Sequence, residues 1–241
     1  MKKESEWKAS LVVFDQNKKD FDLNLSAVYA GSWHIASLQW KAYRPLFDQY
    51  VHGKLLDCGC GRVPYHNLLR SKVELHYAID WSENEDVRKH LDEIVDLNRS
   101  FSLQEKNFDT ILLSDVIAHV KYPALLIATL SDHLKSGGLL IVTTPFIYWS
   151  SEYPHNYYNP SEFGLKQMCE DAGLEVVHLE PYGGRADVLL DTLNKGMTGR
   201  WSHRFFLLLA SVLKSSGWYK RTNEKSRYSY ALGYTLAARK R

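Results

Sequence analysis

Lys54-Leu55-Leu56-Asp57-Cys58-Gly59-Cys60-Gly61, continuing through Arg62-Val63-Pro64-Tyr65, is the stretch whose reading decides the fold. Two leucines lead into an acid, and glycines then alternate at positions 59 and 61. A short apolar run closed by a turn signal is the pattern of a buried parallel strand. Glycines at its carboxyl end let the backbone turn sharply and let a ligand approach closely. Asp57 at that edge can accept hydrogen bonds from a cationic ammonium, or order the loop. A dinucleotide-binding Gly-x-Gly-x-x-Gly needs a third glycine at position 64, where the chain has Pro64. Taken alone, the turn reads either as a cofactor cradle or as a tight turn and no more.

Further strands follow at the spacing of an α/β chain. Residues 64–70 can start a helix, and residues 73–79 alternate toward Asp80, which stands 19 positions beyond Gly61. An acid near that spacing, at a strand's carboxyl end, can hold two ribose hydroxyls; the other reading is a helix N-cap ahead of Ser82-Glu83-Asn84-Glu85. Residues 93–98 read as a short third strand ending near Asp96, and Phe108-Asp109-Thr110-Ile111-Leu112-Leu113-Ser114-Asp115 as a central one. A helix over residues 122–134 stops at Ser136-Gly137-Gly138, and a fifth strand spans 139–144. A helix over 160–172, a strand over 174–179 and a last strand over 231–238 complete a doubly wound sheet, with ligand expected at the carboxyl edges.

In this order the glycine turn, Asp80, the Phe108-Asp109 strand and the run Leu-Lys-Ser-Gly-Gly-Leu-Leu-Ile-Val-Thr-Thr-Pro at 134–145 resemble the class I S-adenosylmethionine-dependent methyltransferases, in their type 11-like form. The resemblance implies a Rossmann-like seven-stranded sheet with the last strand antiparallel, N-terminal helices, and a helical insertion before the last strand. It implies S-adenosylmethionine as cofactor, held by Asp57, Cys58, Gly59, Cys60 and Gly61. Asp80 would take the ribose, with Trp81 beside the adenine and Asp96 and Leu97 at the adenine amino group; Asp96 also reads as a solvated loop acid. Ser114 and Asp115 close the set. The third family glycine falls at Val63, and Pro64-Tyr65 follows as in a subgroup that writes Gly-Cys-Gly-x-x-Pro-Tyr.

Methyl transfer to an alcohol or amine requires an acceptor behind the methyl group and a nearby group to take a proton. His119, in the segment that resembles the family's Glu-Val-Leu-Glu-His-Val, is one candidate; it reads also as a histidine capping a helix. His155 and Glu152, in the aromatic loop over 145–161, are the others. That loop resembles a family pattern at Glu152, Pro154 and Tyr157, but Ser151, Asn156 and Asn159 replace the family's histidine, aspartate and arginine. No metal site is expected.

The organisation expected is a helical segment over 1–53, a cofactor-binding core over 54–183, a helical insertion over 184–228 and the closing strand over 229–241. Tyr29 and Trp33 in the lead-in are candidates for a fold over the cofactor. Cys58, Cys60 and Cys169 form no C-x-x-C pair, and Met1-Lys2-Lys3 is followed by acids rather than an apolar run, so a reduced, cytoplasmic setting without a secretory signal is expected. The net charge of +2 hides an asymmetry. From position 195 to 241 there are 11 Lys or Arg against one acid, +10, which leaves 19 against 27, −8, for the remainder. The insertion's helix near Phe205 is apolar almost all round. A peripheral membrane contact or a homodimer through 201–228 is therefore expected, beside a small-molecule or glycan acceptor, with a lipid-linked glycan among the options; no specific nucleic acid is expected. The function implied is O-methylation of a small molecule or sugar. The alternatives are a nicotinamide-dependent oxidoreductase of the same fold class and a catalytically inactive binding protein.

Overall fold

The computed structural model describes residues 1–9, 11–81, 85–150 and 153–241. The opening stretch forms β3 (Gly53–Cys58), third of seven strands in the order β5 (Glu93–Ile94), β4 (Val73–Asp80), β3, β6 (Phe108–Ser114), β7 (Leu134–Pro145), β9 (Gly233–Lys240) and β8 (Leu174–Tyr182). Strands β5 to β7 pair in parallel, while β9 lies between β7 and β8 and runs antiparallel to both. The sheet is the doubly wound, Rossmann-like one expected, with its last strand reversed. From β3 the chain goes outward through β4 and β5, then returns to β3's other side as β6. That change of direction opens a crevice at the carboxyl ends of the strands.

Helices cover both faces. Leu55, Leu112, Ile141 and Ala237 pack with Ile35, Tyr43, Leu46 and Phe47 of α1 (Trp33–Tyr50) and with Leu68 and Leu69 of α2 (His66–Leu69). Beyond the short α3 (Glu85–Arg88), α4 (Pro123–His133) and α5 (Glu162–Asp171) cover the opposite face. There Leu56, Ile111, Leu113, Leu140 and Val142 meet Leu126, Ile127, Leu130, Leu165 and Cys169. Burial on both faces is why the central strands read as unbroken apolar runs.

The structure departs from expectation in several places. The lead-in is not all helix: β1 (Val12–Asp15) and β2 (Asp20–Leu23) form an antiparallel hairpin. Its period-two pattern is short, and Phe14 meets Phe21 edge to face at 5.4 Å. Asp15 Oδ1 accepts from the Asn17 amide at 2.8 Å and shapes the turn. A proline within a helical run ordinarily breaks or kinks it, yet Pro45 lies inside α1 without ending it. The third strand shrinks to two residues because Asp96 Oδ1 turns back to accept from the Asn98 amide at 3.0 Å. Strand β7 begins at Leu134, not 139, with a break in register across the glycines.

The insertion forms α6 (Arg185–Lys195), α7 (Arg200–Ser215) and α8 (Gly217–Ser226). Its first helix begins at Gly184, which has no side chain to cap it, so α8 supplies the acceptors. Ser226 Oγ accepts from the Arg185 amide at 2.9 Å, and Asn223 Oδ1 from the Ala186 amide at 2.9 Å. A Cβ on Gly184 would stand 2.6 Å from Asn223 Cα, so only glycine admits this approach.

Candidate active site

After β3 the chain turns through Gly59 and Gly61, at φ 71° and 52°, in the left-handed region that favours glycine. A Cβ on Gly59 would strike Val116 at 2.5 Å, whereas one on Gly61 would meet nothing within 4 Å. Val63, where the resemblance puts a third glycine, also has positive φ, 53°. The loop keeps a glycine-like backbone there at some strain, offset by burial with Cys60, Ala78, Val87 and Leu91.

The crevice holds a cleft of about 790 Å³. Gly59, Gly61, Asp80 and Trp81 line it, with Asp96 and Leu97. Ser114, Asp115, His119 and His155 line it as well. These ten are residues singled out in the sequence, brought together from five separate segments. Asn98, Val116, Val120, Lys121 and Tyr157 also line it and were not assigned a role in advance. Asn98 Oδ1 accepts from the Lys121 amide at 2.7 Å and so joins two wall loops, a contact no local pattern announces.

Asp57, Cys58 and Cys60 are expected cofactor residues whose side chains do not line the cleft. Asp57 is buried, its Oδ2 3.1 Å from His76 Nε2. His76 Nδ1 then meets His66 Nδ1 at 2.9 Å, and His66 Nε2 meets Glu4 Oε1 at 2.9 Å. Facing ring nitrogens need one proton between them, so two imidazoles between two carboxylates are satisfied by three protons. Burial, with His76 beside it, holds His66 below the ordinary histidine range. Burial also pushes the Cys58 and Cys60 thiols well up, which leaves them inert as nucleophiles. All three cysteines are free. Ser151 and Glu152 lie outside the described residues.

Asp80 reaches back from β4 to order the glycine turn: Oδ2 accepts from the Gly61 amide at 2.7 Å and Oδ1 from the Trp81 amide at 2.6 Å. Trp81 is half exposed and stands edge-on to His155 at 5.6 Å. Asp115, at positive φ after β6, accepts from the Tyr43 hydroxyl at 2.7 Å. Tyr43 in turn lies 3.4 Å from the Tyr182 hydroxyl, and Gln39 Nε2 donates to Tyr43 at 3.3 Å. Burial raises the Asp115 carboxyl to about 6, with the Tyr43 bond and His119 pulling the other way. Burial likewise raises the Tyr43 and Tyr182 phenols, so both remain neutral donors.

His119 follows in the turn after Asp115. Its Nδ1 lies 2.8 Å from the His155 carbonyl oxygen, an atom that can only accept, so Nδ1 carries the proton. In the neutral ring, Nε2 then holds the lone pair. The loop is pinned again by the Tyr157 amide, donating to the Ala118 carbonyl at 2.7 Å. Of the lead-in candidates, Trp33 is buried, donating from Nε1 to the Leu25 carbonyl at 2.7 Å. Tyr29 lines a separate hollow of about 350 Å³ with His203. Neither lines the cleft.

A doubly wound sheet with an antiparallel strand beside β7, carrying an acid-and-glycine cleft at its switch point, defines a class. A family model described as a methyltransferase domain matches residues 33–179, more than half of the chain, and the chain belongs to that family. It is a class I methyltransferase domain, and its cofactor is S-adenosylmethionine. In structure it is similar to an S-adenosylmethionine-dependent methyltransferase from Mesorhizobium loti, with TM-score 0.56 and 15% identity over 86% of this chain and 100% of that one. It is similar as well to one from Archaeoglobus fulgidus, with TM-score 0.53 and 18% identity over 86% and 93%. The cyclase SpnF matches at TM-score 0.53 and 20% identity over 82% and 79%. No curated protein matches in sequence. At these identities the likeness is one of fold, and a cyclase among the neighbours is a reminder that a fold does not fix a reaction. The family match and the reversed β9 set aside the nicotinamide-dependent reading. The cleft fits the family's cofactor: Gly61 leaves bare backbone where a Cβ would project into open space, and the carboxylates of Asp80, Asp96 and Asp115 line the same cleft.

Proposed function

We propose that the chain methylates a hydroxyl on a small molecule or a sugar, with His119 taking the acceptor's proton. The observation that carries this is the bond from His119 Nδ1 to the His155 carbonyl, which fixes the ring so that Nε2 is its basic nitrogen. When bound, S-adenosylmethionine supplies an electrophilic methyl group. The chain's residues do the rest. The Gly59–Gly61 turn admits the cofactor's backbone contacts, and Asp80 serves the ribose. Trp81, Asp96 and Leu97 bound the adenine end. Ser114 and Asp115 face the middle of the cleft, and His155 and Tyr157 shield the acceptor from water. Glu152 stays a candidate for the same proton.

The test is release of S-adenosylhomocysteine from S-adenosylmethionine against a panel of hydroxylated acceptors. His119→Ala should lower turnover roughly 10²–10⁴-fold, while calorimetric affinity for S-adenosylhomocysteine stays near that of the wild type. Asp80→Ala should weaken that affinity about tenfold or more, since it removes an acceptor and unhooks the Gly61 amide. Turnover unchanged in His119→Ala removes His119 from this role. No release with any hydroxylated acceptor favours an inactive binding protein, which Asn156 and Asn159 in the loop already motivate.

A further inference from the structure

Helix α7 has two apolar faces. One turns inward, where Phe206 and Ala210 are buried with Ala186, Leu190 and Tyr219. The other turns to solvent. Trp201, Phe205, Leu208 and Val212 recur at helical spacing on one stripe and are 80%, 64%, 66% and 71% exposed. Leu209 and Leu213 widen the stripe, and Trp218 on α8 is exposed as well. A water-facing surface seldom leaves that much apolar side chain together unless something covers it.

The charges of the insertion say what does. The Arg204 guanidinium lies over the Trp201 ring at 5.4 Å, and Lys220, Arg221 and Lys225 are exposed on α8. The insertion's three acids offset them only in part. Asp187 is buried, accepting from Tyr219 and Asn223, and Asp191 is buried with Lys195. Glu224 is the single acid from position 195 to the last residue. A second copy seated on this face would bring two basic modules together, which repels. Among the described residues no helix is long and apolar enough to cross a membrane. A short helix with Trp, Phe and Leu on one outward face and basic side chains around it has the character of one that lies in a lipid interface.

We infer that α7 lies flat on an anionic lipid bilayer, with Trp201, Phe205, Leu208 and Val212 inserted at the headgroup boundary and the α8 cations above it. This docking surface is independent of the methyl-transfer reading. The insertion touches the segment leaving β7 through α6, where the Lys195 ammonium lies 4.3 Å from the Tyr148 ring.

The test is flotation of the full chain with phosphatidylcholine vesicles, either pure or with about one third phosphatidylserine. At low salt the chain should float with the anionic vesicles at least about tenfold more tightly than with the neutral ones, and should detach as salt approaches ~0.5 M. Phe205→Ser with Leu208→Ser should abolish flotation while the circular dichroism and thermal midpoint stay as in the wild type, since both side chains are exposed. Lys220→Gln, Arg221→Gln and Lys225→Gln together should lower anionic binding about tenfold and flatten the salt dependence, and this variant tests the surface even if the serine pair fails to fold. Absence of flotation by the wild type at low salt overturns the inference. So does equal, salt-insensitive binding to both vesicles, or a dimer that the serine pair converts to a monomer.

Discussion

At the scale of the residue, Asp115 concentrates the site's physics. Burial raises its carboxyl to about 6, above the ordinary 3.8. Between those two values the folded chain holds a proton that the unfolded chain releases. Stability from this group is therefore present below about pH 3.8 and lost as pH rises through about 6. Asp115→Asn removes the charge, keeps an oxygen to accept from Tyr43, and suits the left-handed backbone equally. The variant should be more stable than the wild type at pH 7 by on the order of 1–3 kcal/mol, with the difference vanishing near pH 4. Denaturant midpoints measured across pH check this; a variant less stable at pH 7 refutes the desolvated carboxylate. Asp115 was legible in the sequence from its place after a central strand. Tyr43 was legible only as an apolar position on a helix, because the partner of its hydroxyl lies 72 residues away. Val63 shows the converse. Its side chain departs from the glycine pattern while its backbone does not, and only φ reveals that.

At the scale of the element, strands and helices that bury a continuous or periodic apolar face were readable, and those held by side-chain bonds were not. Strands β3, β6 and β7 announced themselves by composition. The β1–β2 hairpin did not, because four-residue strands carry two apolar positions at most on a face and leave little period to detect. The start of α6 is a further case. Gly184 offers no cap, and the cap comes from Asn223, 37 residues beyond the Ala186 amide it serves. Asn223 also donates to the buried Asp187 carboxylate at 2.8 Å. Asn223→Ala should cost about 1–3 kcal/mol, the loss of a cap together with a weakened partner for a buried charge. Thermal unfolding measures it, and Asn223→Asp, which keeps the cap but sets a second carboxylate against Asp187, should recover little. Full stability in the alanine variant means that water or another side chain caps α6.

At the scale of the whole molecule, the sequence's charge asymmetry describes an acidic body and a basic module, and the structure shows how the two are joined. The family match ends at residue 179, before the insertion. Val188 of α6 packs against the α1 side of the core, and buried polar contacts join body and insertion further. Asn194 Nδ2 donates to the Gly31 carbonyl at 2.9 Å and the Ala30 carbonyl at 3.2 Å, and Asn194 Oδ1 lies 3.0 Å from His203 Nδ1 on α7. His34 Nε2 lies 3.1 Å from the Asp187 carboxylate. One side chain thus links the lead-in, α6 and α7. Asn194→Ala takes a donor from the Gly31 and Ala30 carbonyls and a partner from the His203 imidazole in a buried place, a loss on the order of 1–3 kcal/mol. That loss falls on contacts between the insertion and residues 30–34, while both faces of the sheet keep their packing. Hydrogen exchange should therefore quicken across residues 185–226 and the first turn of α1, with β3, β6 and β7 protected as before. The same variant should bind S-adenosylhomocysteine with unchanged affinity, since no residue of the insertion lines the cleft. Exchange that quickens uniformly, sheet included, would mean that body and insertion open as one cooperative unit and that the join lies elsewhere.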